Sequence, residues 1–207
     1  MMNFEEKDFL KNVLAGIEKI DYIKPEDIPS IPLYMDQVTT FMENQLAASR
    51  RYEDDKILTK TMINNYAKNH LLPPPDKKKY TKEHLLVMIF IYYFKSILSI
   101  NDIQTLFQPI TAKYFNTKKE FSLTDIYNEV FSLEKDQIDR LGKDIARCFH
   151  ISKDTFSDAP EEDREFLHQF SFICLLSFDV YIKKMMIERM IDEMAKDLKE
   201  NDTHKKK

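Results

Sequence analysis

Polar and apolar positions along the chain recur with a helical period from the first residues almost to the last. Phe9, Leu10, Val13, Leu14, Ile17 and Ile20 stand three and four apart within residues 1–24, which predicts an amphipathic helix. Pro25, Pro29 and Pro32 then predict an extended connector. The stretch MDQVTTFMENQL, 35–46, sets Val38, Phe41, Met42 and Leu46 on one stripe of a second helix. The polar AASRRYEDDK that follows reads as a loop or a frayed helix end. Its Arg50 and Arg51 are placed either to meet phosphate or to pair with Glu53, Asp54 and Asp55.

The most informative stretch runs from Thr59 to Phe107. Thr59 is a good N-cap for a short helix over 60–69, because its hydroxyl accepts from an amide two or three residues on. On that helix Met62, Ile63 and Tyr66 share one side, while Lys60, Thr61, Asn64, Asn65 and Lys68 share the other. The polar side holds cations and short hydrogen-bonding side chains and no acid. Asn pairs bidentately with an adenine edge, and Lys reaches guanine or phosphate. A solvated face that happens to lack acids is the plain alternative.

Leu71 and Leu72 close this helix, and Pro73, Pro74 and Pro75 cannot continue it. Asp76, Lys77, Lys78, Lys79 and Tyr80 form a basic loop, suited to phosphate. Thr81 caps a helix from Lys82 to about Ser96, whose nearly continuous apolar run predicts burial on more than one side. It is shorter than the about 20 apolar residues a bilayer requires. Ser99 and Asp102 come close to a capping box, opening a short helix expected to stop at Phe107, before Pro109.

Beyond Pro109, Ser122 to Asp125 starts a helix through about Val130. Leu133 to His150 gives another, striped by Ile138, Leu141, Ile145 and Phe149. Asp158, Glu161, Glu162 and Asp163 put negative charge at the opening of the last helix, Glu165 to Leu198, about 34 residues long and roughly 50 Å at the helical rise. Phe166, Phe170, Ile173, Val180, Ile187, Ile191 and Met194 approximate a heptad seam along it. That seam serves either a homodimer or the core of a single-chain bundle. The tail, 199–207, is expected to be disordered.

Composition sharpens this picture. With 2 Gly in 207 residues, 43% hydrophobic residues, 15 Phe and 10 Tyr, the chain is expected to be all-α with a substantial core. So few glycines leave no Gly-rich phosphate loop. The opening MMNFEEKDF is acidic where a secretory signal is basic and then apolar, and no segment reads as a membrane span, so a cytoplasmic protein is expected. Cys148 and Cys174 form no metal-ligand spacing; buried thiols are the simpler expectation, with no metal and no cofactor. No nucleophilic constellation argues for an enzyme. Asp179, the acid in the apolar stretch, has Lys183 at i+4 as a ready partner. Tyr127, Phe131, Phe149, Phe166, Phe170, Phe172, Phe178 and Tyr181 line either a small-molecule effector pocket or, more simply, a core.

Charge is unevenly spread. From Thr59 to Lys82 six Lys stand against Asp76, a local charge of +5 in a chain of net −4, which leaves −9 on the remainder. Such a contrast marks an electrostatic footprint for an anionic partner.

The segment from Leu58 to Leu72, then Tyr80-Thr81, then Leu98 to Ile103, resembles MerR-type winged helix-turn-helix regulators. The resemblance implies a recognition helix, a basic wing and dimerisation through a C-terminal helix. Asn64 takes the place of the usual recognition-helix arginine, His70 stands where that family has Gly, and the wing is short. Over roughly 31–195, IPLYMDQV, LTKTMINNYAKNHLLPPPDKKKYTKEHL and LSINDIQTL are similar to the YkrK-like bacterial proteins, a domain of unknown function regarded as regulatory. The resemblance implies an N-terminal helix (1–24), a MerR-like winged helix-turn-helix domain (25–110), and a helical dimerisation or effector region with a long terminal helix (111–198). It also implies a homodimeric transcriptional regulator of double-stranded DNA. Lys60, Thr61, Asn64, Asn65, Lys68, Lys77, Lys78, Lys79 and Tyr80 would form its DNA-binding surface. The alternative is a protein-interaction module that keeps the helix-turn-helix as scaffold.

Overall fold

The structure is a computed structural model that describes residues 6–17, 22–117 and 120–205. It is mostly helical. In chain order come α1 (Glu6–Ile17), β1 (Leu33–Tyr34), α2 (Met35–Gln45), α3 (Lys60–Lys68), β2 (Lys79–Tyr80), α4 (Lys82–Phe94), α5 (Ile100–Tyr114), α6 (Leu123–Ser132), α7 (Glu134–Lys153) and α8 (Glu161–Lys205). Short 3₁₀ turns at Pro25–Asp27 and Ala47–Ser49 join the early elements. β1 and β2 pair antiparallel, Leu33 opposite Tyr80 and Tyr34 opposite Lys79. Residues 1–5, and Ile20 of the expected first stripe, lie outside the described residues.

The chain forms two compact units. The first comprises 1–21 and 132–186, the second 22–131 and 187–207. In the first, α1 packs on α7, with Leu14 Cδ2 lying 3.7 Å from where a Cβ on Gly142 would sit. Phe149 of α7 meets Phe172 of α8 edge-on at 5.5 Å. Lys183 and Asp179 form the expected i+4 ion pair at 2.6 Å. Such an exposed pair contributes little to stability.

The second unit is built around α4. Its residues from His84 to Ile91 are all buried, as the unbroken apolar run requires. Phe90 lies within 5.2–5.4 Å of Phe107, Tyr127 and Phe131, joining α4 to α5 and α6. Tyr127 is fully buried, and its hydroxyl donates to the Ile23 carbonyl at 2.7 Å. The expected domain end at 110 therefore falls inside this unit, because α6 completes its core.

Two expected helix ends move. α5 continues through Pro109 to Tyr114. An interior proline costs a helix about 3 kcal/mol. Here buried Ile103 and Phe107 precede it, and Ile110 and Tyr114 pack on the core after it, which offsets the loss. α8 begins at Glu161 and runs to Lys205, so the expected disordered tail is helical as far as that residue; 206–207 lie outside the described residues.

Caps set the start and end of α3. The Thr59 hydroxyl accepts from the Met62 amide at 3.2 Å. At the other end His70 has φ 56°, with its amide on the Ala67 carbonyl and the Leu71 amide on the Tyr66 carbonyl. That double bond with a left-handed residue is a Schellman motif, which explains why glycine would suit position 70. Leu71, beneath it, is buried.

His84 ties three elements together. Its Nδ1 accepts from the Thr81 amide at 3.0 Å, capping α4, which leaves Nε2 to donate to the Pro74 carbonyl at 3.3 Å. The ring also meets Tyr80 and Phe115 edge-on, at 5.5 and 4.7 Å. Burial holds its pKa below the ordinary 6.5, although the carbonyls of Pro74 and Pro73 pull the other way.

Two predictions follow from these caps. The unfolded chain binds a proton at His84 more readily than the folded one, so its contribution to stability is complete above pH 6.5 and falls as the pH drops below that value. Replacing His84 with Gln keeps an acceptor at the cap; denaturant titrations between pH 5 and pH 8 should show a shallower acid slope than wild type. His70→Gly should raise stability by about 0.5–1 kcal/mol in the same titration, since glycine adopts positive φ without a Cβ clash.

Candidate functional site

α3 presents its two faces as its sequence dictates. Ile63 and Tyr66 are buried, and burial pushes the Tyr66 phenol up from its ordinary pKa. Lys60, Thr61, Asn64, Asn65 and Lys68 are all exposed. The face carries no acid of its own, but Lys60 forms an ion pair with Asp36, at the start of α2. Sequence reasoning confined to α3 missed that partner. Both side chains are well exposed, so the pair is weak and readily exchanged for another anion. Asn69, just past the helix, donates from its side chain to the Asn65 carbonyl at 2.8 Å.

The basic loop is a tight turn. Asp76 and Lys79 are bridged, with the Lys79 amide on the Asp76 carbonyl at 2.8 Å. Lys77 and Lys78 between them have φ of 46° and 66°. Two successive positive φ values define a type I′ turn, where Asn-Gly is the favoured pair. Lysines here hold a backbone conformation that costs of order 1–3 kcal/mol for each strained residue. Both side chains are exposed. The Lys79 ammonium lies 5.1 Å from the centre of the Tyr34 ring, across the β1–β2 pair.

Tyr80 corrects one expectation. It is 3% exposed and its ring packs against His84, so it anchors the turn from below and does not join the exposed lysines. Burial raises its pKa as well.

The expected seam on α8 divides. Phe166 (68% exposed), Phe170, Ile173, Val180 and Ile187 stand out from the chain. Ile191 is 3% exposed and belongs to the core of the second unit, and Met194 is half-buried. Ile191 faces inward because the end of α8 covers the second unit's own apolar surface. Phe178 and Tyr181, expected to line a core or a pocket, are exposed, and Phe178, Ile182, Met186 and Met190 recur every four residues and are as exposed as the seam itself, to which sequence reasoning did not join them. The signal was their spacing, hidden in a run that is apolar nearly all round.

Among the described residues no group of His, Cys, Asp and Glu is placed to hold a metal ion, and no helix is long and apolar enough to cross a membrane. Cys148 and Cys174 are half-buried free thiols.

No curated protein and no solved structure matches the chain. A family model described as Domain of unknown function (DUF1836) matches residues 23–130, nearly coextensive with the 22–131 segment of the second unit. That match covers more than half of the chain, and the protein therefore belongs to the DUF1836 family.

Proposed function

We propose that this protein is a DNA-binding transcriptional regulator of the MerR-like winged helix-turn-helix kind, akin to the YkrK-like proteins. It inserts α3 into a major groove. The observation that carries this reading is the exposed polar face of α3, with Lys60, Thr61, Asn64, Asn65 and Lys68 on a rod whose other side is anchored in the core. Asn64 and Asn65 offer paired donors and acceptors for base edges, and Lys60 and Lys68 offer cations. Lys77 and Lys78, on their strained turn, serve the sugar-phosphate backbone, which positions a protein without reading sequence. The local +5 draws the surface toward a polyanion, and the −9 elsewhere keeps the remainder away.

A second copy of the chain completes the reading. Phe166, Phe170, Ile173, Val180 and Ile187 remain exposed at near-heptad spacing, a form suited to self-association. A homodimer would read a two-fold related site whose half-spacing its own geometry sets. The breadth of exposed apolar surface, with Phe178, Ile182, Met186 and Met190, favours a different protein partner as the second reading.

Sequencing the DNA fragments retained by the purified protein tests binding and names the site together; recovery without enrichment of any sequence would defeat specific reading by α3. On an enriched site, Asn64→Ala should cost about 1–3 kcal/mol in a mobility-shift titration. The double change Lys77→Asn, Lys78→Gly should raise thermal stability, because Asn-Gly suits the turn, yet flatten the salt dependence of binding by up to about 2. Unchanged salt dependence would remove the turn from the interface. Phe170→Glu with Ile173→Glu should convert a dimer to a monomer in sedimentation equilibrium, and a wild type that is already monomeric would end the dimer reading.

A further inference from the structure

The loop after α2 and the end of α4 enclose a cleft of about 420 Å³, within the size range of small-ligand sites. Arg50, Arg51, Lys56 and Lys95 line it, beside Ser49 and Tyr92. The cations are only partly used by the protein. Arg50 pairs through Nη2 with Glu43, but its Nε is buried with no hydrogen-bond partner. Lys95 gives one of its three donors to the Ile57 carbonyl at 2.7 Å and lies 4.6 Å from the centre of the Tyr92 ring. Burial lowers its pKa, the mark of an ammonium short of solvent. Ser49 donates to the Leu46 carbonyl at 2.6 Å and so accepts from Tyr92, at 2.5 Å, which fixes the ring as a wall.

Charge narrows the occupant. Asp55, the acid in the lining, accepts from the Tyr52 amide at 3.0 Å. Setting Asp55 and Glu43 against the four cations leaves a surplus of +2. A phosphate group carries about −1.5 to −2 near neutrality and three acceptor oxygens, whereas a carboxylate would leave the surplus half compensated. Glu53 and Asp54 are exposed on the same loop, which favours a single phosphate over a long run of them. We infer that the cleft between the Ser49–Lys56 loop and the end of α4 binds one phosphate group, held by Arg50, Arg51, Lys56 and Lys95.

Its place gives the site a role. A second open cleft, of about 490 Å³, shares Lys95 and Ser96 with the first and is lined by Asn65 and Asn69 at the edge of α3. A phosphate on Lys95 therefore lies beside the polar face of α3. It belongs either to a free phosphate ester, which would then bias α3, or to the backbone of DNA bound there. The second source rests on the function proposed above; the first does not.

Inorganic phosphate serves as the probe, titrated as its sodium salt into the full chain at constant ionic strength against chloride, with thermal unfolding as the readout. For a free ester, the melting temperature should rise in wild type. The double variant Arg51→Glu, Lys56→Glu, both exposed positions, should weaken the midpoint at least tenfold. The Lys77→Asn, Lys78→Gly variant should respond like wild type. For a DNA phosphate, inorganic phosphate has no effect, and the Arg51/Lys56 variant flattens the salt dependence of DNA binding by about 2. No change in either measurement overturns the site, as does equal loss of the phosphate response in the lysine-turn variant. Failure of wild type to bind any DNA would defeat the reading of α3 and leave the inorganic phosphate titration to decide the cleft.

Discussion

From His84 to Ile91 every residue of α4 is buried, and that constraint organises the second unit. A helix buried on every side needs neighbours on every side. Each large apolar side chain removed from water contributes about 1.5–3 kcal/mol, so the surrounding elements gain by closing around it. At its C-terminal half the neighbours are aromatic, with Phe90 set among Phe107, Tyr127 and Phe131. At its N-terminal end the neighbour is the loop that carries the lysine turn. His84 is the joint there: a polar ring in an apolar site, tolerable because Thr81 and Pro74 satisfy both nitrogens. The same helix thus holds the core together and fixes the base of the basic turn.

Much of this architecture is legible in the residues alone. The acid-free face of α3, the caps at Thr59 and Ser99, the buried run of α4 and the Asp179–Lys183 pair all follow from period, propensity and spacing. These are local features, set within one or two turns of helix. What escaped depends on partners far along the chain. Pro109 stops a helix by local rules, yet α5 passes through it because tertiary packing on both sides outweighs the penalty. Tyr80 resembles an exposed turn residue until His84, on the next element, covers it. Asp36 meets Lys60 across a gap in sequence that no helical wheel contains. The cleft at Arg50 was half legible: the arginines were visible, but Arg50 pairs with Glu43 behind it and not with the acids that follow.

The site and the fold also differ in how well they obey local preference. Apart from Pro109, the helices of the second unit's core follow their local preferences. The lysine turn does not, since Lys77 and Lys78 occupy backbone conformations that Asn and Gly hold more cheaply. His70 does the same at the end of α3. Departures of this kind concentrate where a side chain is wanted for something besides folding. Arg50, with a buried and unpartnered Nε, is a third such departure, in a different part of the same unit.

Ile191 has a consequence for how the family is delimited. The family match ends at 130, yet the core within that stretch is sealed in part by an isoleucine near the far end of the chain. The domain in this protein is therefore discontinuous. The matched stretch, taken alone, lacks one of the side chains that close its own core, and a truncation at residue 130 would leave that apolar surface uncovered.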